Sequence, residues 1–274
     1  MSGKLYVTGT PIGNLSDLSP RAARTLEEVD FIAAEDTRVT MKLLNHLGIK
    51  KPMVSYFEHN KRERGEIICK RIEDGENCAI VTDAGMPCIS DPGEDLIKLC
   101  EERGIQTVIV PGPSAVISAL AISGLETGRF TFEGFLSVNK KSRGDHLQSL
   151  ANEHRTMIFY EAPHKLPATL RDLYAAFGDR RLSIVRELTK IHEEVIRTTT
   201  QYAAEHYADG SVKGEIVLVL EGAKKAESAE AYTLEQAVTL ARELIQKGEK
   251  ATDAAKQAAA LTGYKKNEIY RELL

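Results

Sequence analysis

No stretch of this 274-residue chain is apolar for long enough to cross a bilayer as a helix. Its start, "MSGKLYV", lacks the apolar core of a secretion signal, so a cytoplasmic protein is expected. Cysteine is scarce: Cys69, Cys78, Cys88 and Cys100 show no paired ligand spacing, so no metal is expected and free, mostly buried thiols are. H-E-x-x-H, G-x-S-x-G and G-x-x-x-x-G-K-[ST] are all missing, and Gly9 and Gly13 do not fit G-x-G-x-x-G. Zinc protease, serine hydrolase, P-loop and dinucleotide-binding chemistries therefore have no footing. The histidines are scattered, and His192 beside "HEEV" reads as a surface residue of a strand.

A strong positive charge is absent as well. The formal net charge is −4, so the chain as a whole is not built to bind a polyanion. Basic residues do gather locally, in "NKRER" at 60–64, "NKKSRG" at 139–144, "GDRR" at 178–181 and "YKKNE" at 264–268. Each reads either as a solvated face or as a phosphate contact, since a nucleic-acid partner requires a basic patch only where it binds.

What is present is order along the chain. Strand-like "KLYVTG", "DFIAAE", "PMVSYF", "CAIVTD" and "IQTVIVP" alternate with helix-like segments up to "SAVISALAISG". Regular alternation predicts a parallel sheet flanked by helices, a first α/β domain over 1–125. From 126 to 222 the strands "RFTFEGF", "TMIFYEA", "RLSIVREL", "EEVIRTTT" and "GEIVLVLEG" have only two clear helices between them, near 143–154 and 165–177. That texture predicts a mixed sheet in a second α/β domain. "AKKAESAEAY" at 223–232 reads as a linker, and 233–274 as three short helices. Their proportions suit a helix-turn-helix module or a helical cap equally.

The stretch "IVTDAGMPCISDPG" at 80–93 holds the chemical signal. Asp91, Pro92 and Glu94 stand as N-cap, first and third residue of the helix ahead. Asp83 has no such structural role, because Gly85 and Pro87 intervene before any helix begins. Two other strand ends carry similar loops, Thr10 to Asn14 and Pro111 to Ala115, and ligands of open α/β sheets bind beyond the carboxyl ends of strands. The three loops predict one shared crevice. Pro11, Pro87, Pro111 and Pro113 remove amide donors and no basic residue accompanies them, the reverse of a phosphate cradle. Exposed carbonyls and one carboxylate suit a cationic, hydroxyl-bearing ligand, and S-adenosylmethionine, with its sulfonium, ammonium and ribose, fits.

The segments "TPIGNLSDLSPRA", "AAEDTR", "YFEHN", "VTDAGMPCISDPG", "VPGPSAVISAL", "FEGFL", "YEAPHKL", "RELTKIHEEV" and "GEIVLVLEG" closely resemble the ribosomal RNA small subunit methyltransferase I family of the tetrapyrrole methylase superfamily. The resemblance spans residues 4 to 222 in order, and the helical tail is similar to the helix-turn-helix end of that family. It implies the two-domain fold of class III methyltransferases with a small C-terminal helical module. It also implies an S-adenosylmethionine-dependent 2′-O-methylation of a cytidine in the decoding region of 16S RNA, commonly by a homodimer. Carried over residue by residue, Pro11, Asp83, Gly85, Ile89, Ser114 and Ala115 line one side of the cofactor, with Tyr160, Glu187 and Glu215 opposite. Two departures stand out: Gly9 where alanine is commoner, and Met86 where threonine is commoner.

A base for the ribose hydroxyl is expected from "AAEDTR" or "YFEHN", with Asp36, Glu58 and His59 as candidates and Arg38 and Asn60 positioning phosphate or ribose. Asp36 also reads as a helix cap, and "EHN" as a polar turn. Lys140, Lys141, Arg143, Lys265 and Lys266 are expected on RNA phosphates. Two other functions share parts of this pattern: a methylase of tetrapyrrole precursors, and a non-catalytic ribosome assembly factor.

Overall fold

The computed structural model describes residues 2–210, 212–224 and 232–273. The first part alternates throughout: β1 (Lys4–Thr8), α1 (Pro20–Glu28), β2 (Phe31–Ala34), α2 (Thr37–Leu47), β3 (Met53–Ser55), α3 (Lys61–Glu73), β4 (Cys78–Val81), α4 (Glu94–Glu102) and β5 (Gln106–Val110). The strands pair in parallel in the order β3-β2-β4-β1-β5. Every residue of "FIAA" in β2 and "CAIV" in β4 is buried, as a strand covered on both faces requires. Leu5, Phe31 and Ile80 pack one face against Ile68 and Ile72 of α3 and Leu96 and Cys100 of α4. Ile32, Ala79 and Val81 pack the other against Leu26 of α1 and Leu44 of α2.

The chain continues through α5 (Ala115–Ser123), β6 (Phe130–Phe135), α6 (Lys140–Ser149), β7 (Thr156–Glu161), α7 (Leu166–Phe177), β8 (Arg181–Arg186), β9 (Glu194–Thr199), α8 (Thr200–His206) and β10 (Ile216–Leu220). The second sheet runs β6-β7-β10-β8-β9, with β6 and β7 parallel and the other pairs antiparallel, so the expected mixed sheet is present. Although α5 follows the first sheet in the chain, it covers the second. Its Val116, Ala119 and Leu120 join Ile158, Val185, Val217 and Val219 in one apolar cluster. Both sheets belong to one compact unit, residues 1–223.

Two elements differ from expectation. Helix α8 begins at the last threonine of "EEVIRTTT", which read as strand, and runs on to His206, where no helix was expected. Thr199 ends β9 and caps α8 at once, its hydroxyl accepting from the Tyr202 N–H. Helix α6 starts at Lys140, earlier than expected, because the Asn139 side chain accepts from the N–H groups of Lys141 and Ser142.

Residues 224–274 form the second unit. Helices α9 (Leu234–Gln246), α10 (Ala251–Thr262) and α11 (Lys266–Arg271) enclose a core of their own, Ala237, Val238, Ala241, Ala254, Ala255, Ala258 and Ile269. Thr233 and Gln236 close a reciprocal capping box at its entry. Of the expected linker, residues 225–231 lie outside the described residues. Among the described residues no helix is long and apolar enough to cross a membrane.

Packing is tight just after β1. A methyl group on Gly9 would stand 2.6 Å from the Met86 Sδ and 2.7 Å from the Gly112 Cα. The two departures from the family pattern, Gly9 and Met86, are therefore neighbours, and the sulfur occupies space that an alanine needs. Gly9→Ala alone is expected to cost about 1–3 kcal/mol of stability. Adding Met86→Thr should return part of that loss. Urea midpoints of the four chains measure the coupling, and a value under about 0.5 kcal/mol would refute the link.

Candidate active site

The loops after β1, β4 and β5 meet as expected. The Thr10 N–H donates to the Gly85 carbonyl at 2.9 Å and the Gly85 N–H returns to the Thr10 carbonyl at 3.1 Å. The Thr10 hydroxyl donates to the Thr82 carbonyl at 3.1 Å, and the Gly9 N–H to the Val110 carbonyl at 3.1 Å. Between these loops and the second sheet opens a cavity of about 420 Å³, an ordinary size for a small-molecule site. Its apolar wall is Ile12, Met86, Ile89, Leu188, Ile216 and Val217. No basic side chain is among its lining residues, whereas Asp91, Glu161 and Glu215 are.

Of the residues expected at the cofactor, Gly85, Ile89, Ser114, Ala115, Tyr160 and Glu215 line this cavity. Pro11, Asp83 and Glu187 are not among the lining residues, and the chain neighbours Ile12 and Leu188 line it instead. The Asp83 carboxylate accepts from the Asp36 N–H at 3.2 Å and is solvent-exposed. Glu187 has positive φ and accepts from the Glu215 N–H at 2.9 Å and from Lys190 Nζ at 3.1 Å. These two bonds hold its carboxyl below the usual range and fasten the end of β8 to the start of β10.

Asp91 is the main correction. It does not cap α4. That helix begins at Glu94 after Gly93 at φ 145°, with no side-chain cap. Asp91 lies two residues further back, half-buried, in the cavity wall. Burial, then the charges of Glu35 and Asp83, push its pKa up to about 6, with the Thr82 hydroxyl pulling the other way. Glu35 is better supplied, accepting from the Thr82 hydroxyl at 2.5 Å and the Asp83 N–H at 3.5 Å. Across the cavity, burial and the Asp91 charge push Tyr160 up to about 12, and its oxygen takes the Val116 N–H at the start of α5.

Glu161 was not foreseen. It is 5% exposed, accepts from the Ala162 N–H at 2.8 Å, and receives the Thr169 hydroxyl. Thr169 in turn accepts from the Arg143 guanidinium at 2.8 Å, whose Nε lies 2.5 Å from Asp172. Arg143 is therefore committed inside the fold rather than offered to RNA. The signal for Glu161 was available: a carboxylate directly ends the apolar strand "TMIFY".

None of the expected catalytic group lines the cavity. Asp36 caps α2 through the Arg38 N–H at 2.8 Å and is gripped by the Arg38 guanidinium, which holds its pKa down to about 2. So placed, it is a poor proton acceptor and Arg38 is its partner. Glu58 pairs with Lys61 at 2.9 Å, and exposed His59 lies edge-on to Phe57. Asn60 pins its own turn, accepting from the Phe57 N–H at 2.8 Å and donating to the Ser55 carbonyl at 3.2 Å. Lys140, Lys141, Lys265 and Lys266 are all exposed, the first two at the start of α6 and the others at the start of α11.

The model of the tetrapyrrole (corrin/porphyrin) methylases matches residues 4–204. Cobalt precorrin-4 methyltransferase superposes with a TM-score of 0.60 at 18% identity, over 80% of this chain and 94% of that one, which establishes a shared fold. Uroporphyrin-III C-methyltransferase from Thermus thermophilus, solved with S-adenosyl homocysteine, superposes at 0.58 with 16% identity, over 80% of this chain and 97% of that one. A Synechocystis protein named ribosomal RNA small subunit methyltransferase I is 46% identical over 98% of this chain and 96% of its own length. One of the same name from Thermotoga maritima is 49% identical over 80% of this chain and 99% of its own. The chain belongs to the tetrapyrrole methylases and, within them, to the ribosomal RNA small subunit methyltransferase I family.

Asp91 sets a pH dependence whose sign is fixed. Its native pKa of about 6 lies above the unfolded value of about 3.9, so between those limits the native state holds more protons. Its contribution to stability is therefore fully present below pH 4 and is lost as pH rises through 6. Relative to Asp91→Asn, the wild type should lose stability between pH 4.5 and 7, by about 1 kcal/mol or less once solvent screening of this half-exposed group is counted. Urea titrations of both chains at the two pH values check this, and parallel changes would contradict it.

Proposed function

We propose that this chain transfers a methyl group from S-adenosylmethionine to the ribose 2′-hydroxyl of a cytidine in the decoding region of 16S RNA, in the cytoplasm. The observation that carries the reading is the cavity itself: apolar walls, carboxylates, no lining cation, and a position at the carboxyl ends of β1, β4 and β5. A sulfonium suits such walls, and a pyrophosphate does not. The names of the full-length relatives support the RNA acceptor. The cavity residues expected from the resemblance, Gly85, Ile89, Ser114, Ala115, Tyr160 and Glu215, are the ones that would hold the donor.

When bound, S-adenosylmethionine supplies an electrophilic methyl whose sulfur leaves as a neutral thioether. The chain's task is then to align the attacking oxygen and keep water out, which can contribute about 7–11 kcal/mol. Ile12, Met86, Ile89, Leu188, Ile216 and Val217 exclude water. Tyr160, protonated across the physiological range, stays available as a donor. Asp91 accepts the hydroxyl proton at its carboxylate; a base with a pKa near 6 is ionised at neutral pH and still basic enough to help. This role replaces the one expected of Asp36, Glu58 or His59. Lys140, Lys141, Lys265 and Lys266 hold phosphates.

Mass mapping of 16S RNA from a deletion strain tests the acceptor. The modified cytidine should vanish, return with the wild-type gene, and stay absent or faint with Asp91→Asn. In vitro, Asp91→Asn should cut kcat by about 10²–10⁴ while the affinity for S-adenosylmethionine changes little. Wild-type turnover in that variant would remove Asp91 as the base. Methylation of uroporphyrinogen, with 16S RNA untouched, would transfer the function to the tetrapyrrole class.

A homodimer belongs to the same reading. Beside the edge strand β5 runs an apolar groove of about 730 Å³ that includes Val108, Ile109, Ile117, Phe130 and Phe132. Ile109 of β5 is 54% and Ile117 of α5 52% exposed, an apolar patch at a sheet edge of the kind that partners cover. Sedimentation at micromolar concentration should give the mass of two chains, and Ile109→Glu the mass of one. A wild type sedimenting as a single chain would exclude the dimer.

A further inference from the structure

Phe135 is the anomaly of the cavity. It is a cavity-lining aromatic residue that remains 60% exposed. Its position is the product of a β-bulge. Strand β6 pairs Phe132 with Ile158, then skips, and pairs Gly134 with Phe159 and Phe135 with Tyr160. Gly134 sits at φ 65°, a backbone conformation costly for any residue with a Cβ. Without the extra residue, alternation would send residue 135 to the face of Glu133, which contacts His146 of α6. The bulge turns the ring onto the face of Tyr160, where one more aromatic residue already packs. Phe132 lies 4.9 Å from the Tyr160 ring, and Phe135 rests against the same ring at 5.4 Å, tilted by 58°. One side of the Phe135 ring is thus braced while the rest faces solvent. A bulge that re-aims a side chain beside a site is a designed feature.

The residues that follow fit one kind of ligand. Val138 is 80% exposed, Asn139 caps α6, and Lys140 and Lys141 open that helix, both exposed. A braced open aromatic ring, an aliphatic surface and two cations in succession have the composition of a platform for single-stranded nucleic acid. A ribose can reach Asp91 only if its nucleotide leaves the stack, and the base it carries then needs a flat apolar surface on the solvent side of the cavity. From these observations we infer that Phe135 is the stacking platform for the displaced nucleobase of the RNA, held in place by Tyr160 and aimed by the Gly134 bulge. This assignment rests on the RNA-methylating function proposed above.

The experiment uses the full chain with 30S subunits as acceptor. Phe135→Leu keeps size and apolarity but has no ring face, so folding and the thermal midpoint should be retained. It should raise KM for the subunit about 5- to 150-fold, the range of one lost base stack, with the Kd of S-adenosylmethionine within threefold of wild type. Phe135→Trp should restore KM. A fluorescent cytidine analogue at the target position should be quenched by wild type and by Phe135→Trp, and not by Phe135→Leu. An unchanged KM and quench in Phe135→Leu overturn the assignment. So does a matching loss of donor affinity, which would place the adenine of the donor on the ring instead. A wild type that methylates no ribosomal RNA overturns the underlying function, and a wild type that does so while Phe135→Leu does so equally well overturns this assignment alone.

Discussion

The reciprocal pair of backbone hydrogen bonds between Thr10 and Gly85 is the constraint on which the site depends. It joins the loop after β1 to the loop after β4, and the Thr10 hydroxyl repeats the tie through the Thr82 carbonyl. The loop after β5 is drawn against the same point, with the Gly112 backbone close enough to Gly9 to leave no room for a methyl. Prolines 11, 87, 111 and 113 flank these contacts. Lacking amide hydrogens, they limit the donors that would otherwise need partners in so crowded a place. Once the three loops are fixed together, they form one wall, and α5, which covers the second sheet, brings the opposite wall to face it.

That crowding also gives neighbouring carboxylates unlike surroundings. Glu35, Asp36, Asp83 and Asp91 cluster where β2 and β4 end, yet their surroundings differ. Asp36 has a guanidinium, Glu35 a hydroxyl and an amide, and Asp83 an amide together with solvent. Asp91 is left with the largest penalty of burial and two like charges nearby. Asp36 and Asp91 are thereby shifted in opposite directions, the way a site can obtain a base that works near neutral pH. Glu161, satisfied by the Ala162 amide and the Thr169 hydroxyl, serves the opposite end by fixing the β7 terminus beside Tyr160.

Both sheets, the shared crevice and six of the nine residues expected to line it were legible in the sequence because most rest on local pattern: buried β-branched strands, and Gly–Pro loops at their ends. Asp91 was misread because Asp-Pro-x-Glu is a genuine capping pattern. What overrides it is Gly93, whose backbone starts the helix later and frees the aspartate to face inward. Asn60 is engaged within its own turn and Arg143 within the second sheet's surroundings. The partner of Arg143 is Asp172, 29 residues away, and no local signal reports a long-range bond of that kind. Phe135 had a signal in Gly134, since a glycine inside a strand marks a bulge or a close approach. Its direction, however, depends on register with β7, which the sequence of β6 alone does not contain.

The two compact units separate these tasks. Every residue of the cavity, from Ile12 to Val217, lies in residues 1–223, while the tail is held by an alanine-rich core of its own. Leu240, Leu244, Ile245 and Tyr270 pack around that centre, and the capping box at Thr233 and the left-handed turn at Gly263 fix the helix ends. The Thermotoga relative, matched over 99% of its own length by 80% of this chain, has a length close to that of the first unit alone. The crevice formed by the joined loops thus belongs to the first unit, while Lys265 and Lys266, at the start of α11, belong to the second.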